Sequence, residues 1–152
     1  MDPLRNAAIV QPSPPEPVGL YEPFVLCGNL LTLSAISSAR GGKLITGKVG
    51  RDLDLASAQE AARRAAENLL AVLFGAVGGD EARIERILAV RGYVNASDDF
   101  ALVHKVIDAS SEVIVARLGD KGLHARTALG CATLPNNNAV TLEAMAVVKG
   151  PA

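Results

Sequence analysis

A chain of 152 residues is long enough for one domain and short for two. Apolar residues make up 49% and charged residues 20%, a globular balance that excludes a fully disordered chain. With 15 Lys and Arg against 16 Asp and Glu the net charge is −1, which supplies no electrostatic footprint for a nucleic-acid backbone. Aromatics are only 3%, and Tyr21, Phe24, Phe74, Tyr93 and Phe100 are too scattered to form a stacking platform for single strands. No apolar run reaches the ~18 residues of a membrane span, and the Asp2-Pro3 start lacks the basic-then-apolar order of a secretory signal. The expectation is a soluble, cytoplasmic protein with neither nucleic acid nor membrane as partner. Cys27 and Cys131 form no C-x-x-C pair and read as two small buried hydrophobes.

Residues 1–23 hold six of the eight prolines, which predicts an extended segment; 1–16 is set apart as a Pro-rich arm, and 17–152 as a single domain. Phe24–Cys27 and Leu30–Ile36 read as two strands joined by a Gly28-Asn29 turn. The glycines from 41 to 50 predict loops around a short strand near Lys43–Thr46. They match neither a Walker loop nor G-x-G-x-x-G. A helix follows, capped by Asp54 or Ser57, with Ser57-x-x-Glu60 matching a capping box. Its apolar stripe is Ala58, Ala62, Ala65, Leu69, Val72 and Ala76. Arg63, Arg64, Glu67 and Asn68 point the other way, and Gly78-Gly79 ends it.

A strand over Ile87–Asn95 presents Leu88, Val90, Gly92 and Val94 on one face and Ile87, Ala89, Arg91 and Tyr93 on the other. A second helix, capped by Ser97 or Asp98 and stopped at Gly119, buries Phe100, Val103, Ile107 and Ile114. Strands over Ala125–Leu134 and Val140–Val148 close the chain around a Pro135–Asn138 loop. The class is α+β. Two helices cover one face of one sheet. Val140, Leu142, Ala144 and Ala146 nevertheless oppose Met145 and Val147, so a second apolar face awaits cover, which points to a homo-oligomer.

The chain has no Ser-His-Asp order with supporting motifs and no H-E-x-x-H. His104 and His124 stand alone, with no metal-ligand spacing around them. Arg126 is the unusual residue: alternation places it on one face with Ala128, Gly130 and Ala132, small neighbours that leave room beside a guanidinium fork suited to a carboxylate. A structural salt bridge, for instance to Glu143, accounts for it equally well.

The run Gly122-Leu123-His124-Ala125-Arg126-Thr127-Ala128, continuing through Thr133-Leu134-Pro135 to Val140-Thr141-Leu142-Glu143-Ala144-Met145-Ala146, resembles the C-terminal signature of the reactive-intermediate deaminase family. That family is also called Rid or YjgF-like, with the older name endoribonuclease L-PSP. Gly19-Leu20-Tyr21, Val25–Asn29, Ala66–Leu70 and Asp99-Phe100 extend the likeness over about residues 17–149, and the His-Ala-Arg form is similar to a divergent YjgF-like subgroup. The resemblance implies a chorismate-mutase-like fold, a homotrimer with clefts between subunits, and hydrolysis of reactive enamines and imines to 2-keto acids and ammonia without metal or organic cofactor.

Matched residue by residue, the resemblance assigns Arg126 to the substrate carboxylate, Tyr21 and Ser34 to the cleft lining, His104 to a position usually held by asparagine, and Ala128 to one usually held by cysteine. Ser34-Ala35-Ile36 replaces Ser-Gly-Gln. Thr141 stands where the family has the glutamate that orients the attacking water, and Glu143 matches the second acid of that strand. Glu143 cannot simply substitute, being displaced ~6.5–7 Å along the strand. A threonine hydroxyl orients water but does not deprotonate it near neutral pH, and loss of a general base costs on the order of 10²–10⁴ in rate. Two functions follow: an imine or enamine deaminase of weak or altered activity, drawing on His104, His124 or Glu143, or a non-catalytic trimer that binds small carboxylate metabolites. Balanced charge argues against an endoribonuclease.

Overall fold

The computed structural model describes residue 13 and residues 16–150; most of the expected Pro-rich arm lies outside the described residues. Strand β1 (Phe24–Cys27) and strand β2 (Leu30–Ser37) form a hairpin whose register pairs Cys27 with Leu30. Gly28 adopts φ +63° at the first turn position, where the two-residue turn compatible with strand twist needs a glycine. The Gly-Asn order is therefore the suitable one for this turn.

Helix α1 (Leu55–Ala76) and strand β3 (Ile84–Asn95) follow. Helix α2 (Val103–Leu118), strand β4 (Ala125–Cys131) and strand β5 (Val140–Val148) complete the chain. The sheet order is β1-β2-β5-β3-β4; β3 and β4 run parallel and all other neighbours antiparallel. Both helices lie on one face, giving the expected α+β sandwich.

Alanines at 58, 61, 62, 65 and 66, all fully buried, let α1 lie close to the sheet and to α2. Asp54 caps α1 by accepting from the Ser57 amide at 2.8 Å. Ser57 sits inside the first turn, so it is the recipient of the cap rather than the cap. Asn68, expected outside, is fully buried: its Nδ2 donates to the Ser37 and Ala39 carbonyls, fastening α1 to the end of β2. Polarity was misleading there because two strand-end carbonyls needed a donor.

The face assignment of β3 also changes. Ile84, Ile87 and Val90 are all fully buried on the helix side, while Leu88 is 39% exposed. Register shifts between Ile84 and Arg86 and between Ile87 and Ala89 insert extra residues against β5, so strict alternation fails there. The short strand expected near Lys43–Thr46 is reduced to isolated bridges, Arg40 to Lys43 and Thr46 to Asn138. Neither Ser97 nor Asp98 caps α2, which begins at Val103; the Ser97 hydroxyl donates to Asp99 instead. Strand β4 stops at Cys131, three residues early. Cys27 is exposed and Cys131 half-buried, on strands at opposite edges of the sheet, so neither is a core hydrophobe.

The face away from the helices carries Val25, Leu30, Met145, Val147, Ala89 and Leu129, set by the register. Val25 and Leu129 are more than half exposed. Among the described residues no helix is long and apolar enough to cross a membrane.

Gly92 allows α2 to approach β3: a Cβ there would meet Ile107 Cδ1 at 2.4 Å and its other branch atoms inside 3 Å. Rotating one methyl away does not relieve the overlap. Gly92→Ala is expected to lower stability by about 1–3 kcal/mol, read by chemical denaturation, and adding Ile107→Val should recover part of that loss. An unchanged midpoint for Gly92→Ala would contradict this packing.

Candidate functional site

A cavity of about 770 Å³ opens at one end of the sheet. Its walls include Tyr21, Ser34, Ala35, Tyr93, Asn138 and Thr141. A bulge in β2 creates one wall: Leu33 pairs with Ala144 and Ile36 with Leu142, so three residues on β2 span two on β5, and Ser34 and Ala35 turn into the cavity. Ser34 is fixed there by its amide to the Pro23 carbonyl and its hydroxyl to the Glu22 carbonyl at 2.6 Å. The opposite wall is the Pro135–Asn138 turn. Asn136 and Asn137 both adopt φ 55°, a backbone region that asparagine tolerates well.

Thr141 reaches this cavity from β5. Its Oγ1 accepts from Asn138 Nδ2 at 2.9 Å, and Asn138 Oδ1 accepts from the Ser38 hydroxyl. Among the described residues Glu16 supplies the one carboxylate in the lining. Glu143 lies beside the cavity on the same sheet face. Its Oε1 accepts from Arg91 Nη1 at 3.0 Å and from the Tyr93 hydroxyl at 3.1 Å. Burial, with the Glu143 hydrogen bond second, pushes the Tyr93 phenol above its ordinary pKa. Tyr93 therefore remains a neutral donor at physiological pH.

Arg126 stands elsewhere. The register aligns it with Val90 and Ala144, on the helix-covered face, with Ala128 two residues on. Its Nη1 donates to Asp108 Oδ1 at 2.8 Å and to Ser111 Oγ at 3.3 Å, both on α2. Glu143, the partner weighed for a structural salt bridge, is on the other face and pairs with Arg91. The hydrogen bond from Arg126 holds the Asp108 carboxyl below its ordinary pKa. Side-chain exposures of 28% and 35% make this pair a positioning contact, worth about 1 kcal/mol or less.

His124 completes the group. Its Nδ1 lies 2.6 Å from the Gly122 carbonyl, which can only accept, so Nδ1 carries the proton. Nε2 then accepts from the Ser111 hydroxyl at 3.1 Å. Burial first, and the Arg126 charge, lower the imidazole pKa against the opposing Gly122 bond.

The expected site residues thus separate into two groups within one chain. Tyr21, Ser34 and Thr141 meet at the cavity; Glu143 adjoins it through Tyr93. Arg126 and Ala128 lie on the opposite face of the sheet. His104 is exposed in the first turn of α2, one turn before Asp108, and lines neither wall described. Sequence reasoning passed over Asp108 and Ser111. Their i, i+3 spacing was the available signal, since it puts two polar groups on one helix face. Among the described residues no three His, Cys, Asp or Glu side chains gather as a metal site requires.

With this architecture in place, the chain can be assigned a family. Residues 4–147 match the family described as "YjgF/chorismate_mutase-like, putative endoribonuclease", and the chain belongs to it. A curated relative, Protein TCP17 of Trypanosoma cruzi, is 31% identical over 144 residues, covering 93% of this chain and 89% of that one. The solved protein Atu1372 of Agrobacterium tumefaciens is 41% identical with a TM-score of 0.85, over 88% of this chain and 86% of that one. A putative endoribonuclease from Shewanella oneidensis MR-1 superposes with a TM-score of 0.87 at 27% identity, over 91% of both chains.

The coupling of Arg126 to Asp108 has a direct readout. Arg126→Ala should raise the Asp108 pKa toward the ordinary aspartate value, followed by NMR titration of the carboxyl carbon. An unmoved titration would mean that the pair does not persist in solution.

Proposed function

We propose that the chain assembles as a homotrimer whose subunit boundaries form clefts for small carboxylate or imine metabolites. In those clefts the protein hydrolyses reactive enamine and imine intermediates to 2-keto acids and ammonia, with no metal or organic cofactor. The observation that carries this reading is the division of the site: an anion-binding guanidinium on the edge strand β4, and a cavity lined by Tyr21, Ser34 and Thr141 on the other side of the sheet. A second copy packed on the open apolar face would bring one group to the other. Arg126 spends Nη1 on Asp108 and Ser111, and its remaining N–H donors can grip a carboxylate.

Activity is expected to be weak or redirected, because the cavity offers Thr141 where the resemblance places a glutamate. The Thr141 hydroxyl, held by Asn138, orients water without taking its proton. The same observation favours a second reading, a trimer that binds small carboxylates without turnover. The −1 net charge continues to weigh against RNA cleavage despite the endoribonuclease description of the family.

Light scattering coupled to size exclusion should give three times the chain mass; a monomer at micromolar concentration would end the cleft reading. Pyruvate should raise the melting temperature of the wild type and not of Arg126→Ala. Thr141→Glu should accelerate hydrolysis of freshly generated 2-iminopropionate about tenfold or more, with Thr141→Ala near the wild type. Fast wild-type turnover that collapses in Thr141→Ala would instead make the threonine indispensable.

A further inference from the structure

We infer that Ser111 and His124 form the proton-accepting side of the Arg126 site, which takes a zwitterionic 2-iminium carboxylate. This rests on the hydrolytic reading above and assigns the acceptor that Thr141 cannot provide.

In a 2-imino acid the electrophilic carbon is bonded directly to the carboxyl carbon, ~1.5 Å away. A carboxylate gripped by Arg126 therefore fixes the reacting carbon close to the guanidinium. The acceptor for the water proton must lie there too. Glu143, in this chain or in a neighbouring copy, is engaged by Arg91 and Tyr93. Asp108 is tied to Arg126, and its carboxyl is held below the ordinary range, which makes it a poor base. Ser111 Oγ, 3.3 Å from Arg126 Nη1, is in place.

Ser111 does not act alone. Its proton already points to His124 Nε2, and the Gly122 carbonyl fixes the tautomer that leaves Nε2 free to receive it. A hydroxyl backed by an imidazole that a third group orients is the arrangement that moves protons in hydrolytic sites. Arg126 of β4 is the charged group beside the ring; Asp108 and Glu112 of α2 share a lining with Ser111, its hydrogen-bond partner. Lys121 in the turn before β4 donates to the Ile84 carbonyl, and Arg86 of β3 donates to the Asp120 carbonyl. Arg126 is the one that acts on the ring, adding to burial in lowering its pKa, so His124 is neutral and basic at neutral pH.

The lining completes the selection. Asp108, Ser111, Glu112, Val115 and Ala116 bound an open depression of about 580 Å³. Glu112 brings a carboxylate beside Ser111 that suits a cationic nitrogen, while Arg126, whose Nη1 lies 3.3 Å from Ser111 Oγ, suits an anion. A protonated 2-imino acid carries both charges on adjacent atoms.

The water oxygen bonds to the iminium carbon; one water proton passes to Ser111 Oγ as the Ser111 proton passes to Nε2. The imidazolium returns that proton by the same path to the amino nitrogen. The C–N bond then breaks with its electron pair on nitrogen, the hydroxyl proton leaves with it as ammonium, and the keto acid remains.

The test measures keto-acid release from 2-iminopropionate between pH 5 and 9, together with pyruvate binding by thermal shift. Wild-type kcat/KM should fall on the acid side with a midpoint below the ordinary imidazole value of about 6.5. His124→Gln should lose about tenfold or more in kcat, lose that acid limb, and still bind pyruvate. Ser111→Ala should lose a similar factor, and Ser111→Thr should restore it by returning a hydroxyl. Turnover and pH profile indifferent to these changes would overturn the assignment while leaving imine hydrolysis intact. Loss of pyruvate binding in His124→Gln would reduce the ring to a structural role and overturn it as well. A wild type that binds pyruvate without turnover would overturn both the hydrolytic reading and this one.

Discussion

The packing of α1 and α2 on a single face of the five-stranded sheet governs everything else in this protein. Five buried alanines flatten α1, and Gly92 removes the side chain that would hold α2 off β3. Because both helices are spent on one face, the other is left with a row of valine, leucine and methionine. Burial of such surface contributes roughly 25 cal/mol per Å², so an uncovered sheet face is a standing drive toward association. In this account one constraint sets both the monomer core and the drive to assemble.

The same constraint divides the chemistry. A sheet one residue thick has two faces, and neighbouring positions on a strand belong to different ones. Arg126 faces α2, where Asp108, Ser111 and His124 satisfy and orient it; Thr141 and Glu143 face the open side. No rotamer brings these two sets together. A single site built from both requires a neighbouring copy, whereas the Arg126 group by itself already holds a guanidinium, a hydroxyl and an imidazole. The Pro135–Asn138 turn and the β2 bulge shape the cavity by local backbone devices that depend on two left-handed asparagines and one extra residue.

Much of this was legible in the chain. The hairpin, α1, the Gly119 stop and β5 follow from periodicity, caps and turn residues, and the His-Ala-Arg segment with the strand after it carried the family. The misreadings share a cause: tertiary context overrode a local rule. Asn68 looks solvent-facing until two orphaned carbonyls of the β2 end are placed against it. Ile87 and Leu88 exchange faces because bulges interrupt alternation. Arg126 had no visible partner in its own strand because its partners lie 15 and 18 residues upstream on a helix. Spacing alone cannot show which helix face will meet which strand.

The most direct test of the divided site is complementation between subunits. Arg126→Ala lacks the anion fork, and Ala35→Trp, at an exposed bulge position, fills the cavity. Neither variant alone should bind pyruvate. Unfolded together and refolded as mixed oligomers, they should recover about a quarter of wild-type sites, the fraction of boundaries at which an intact fork meets an intact cavity. Mixed oligomers that recover no binding would contradict a site shared between copies. So would full binding in Ala35→Trp by itself.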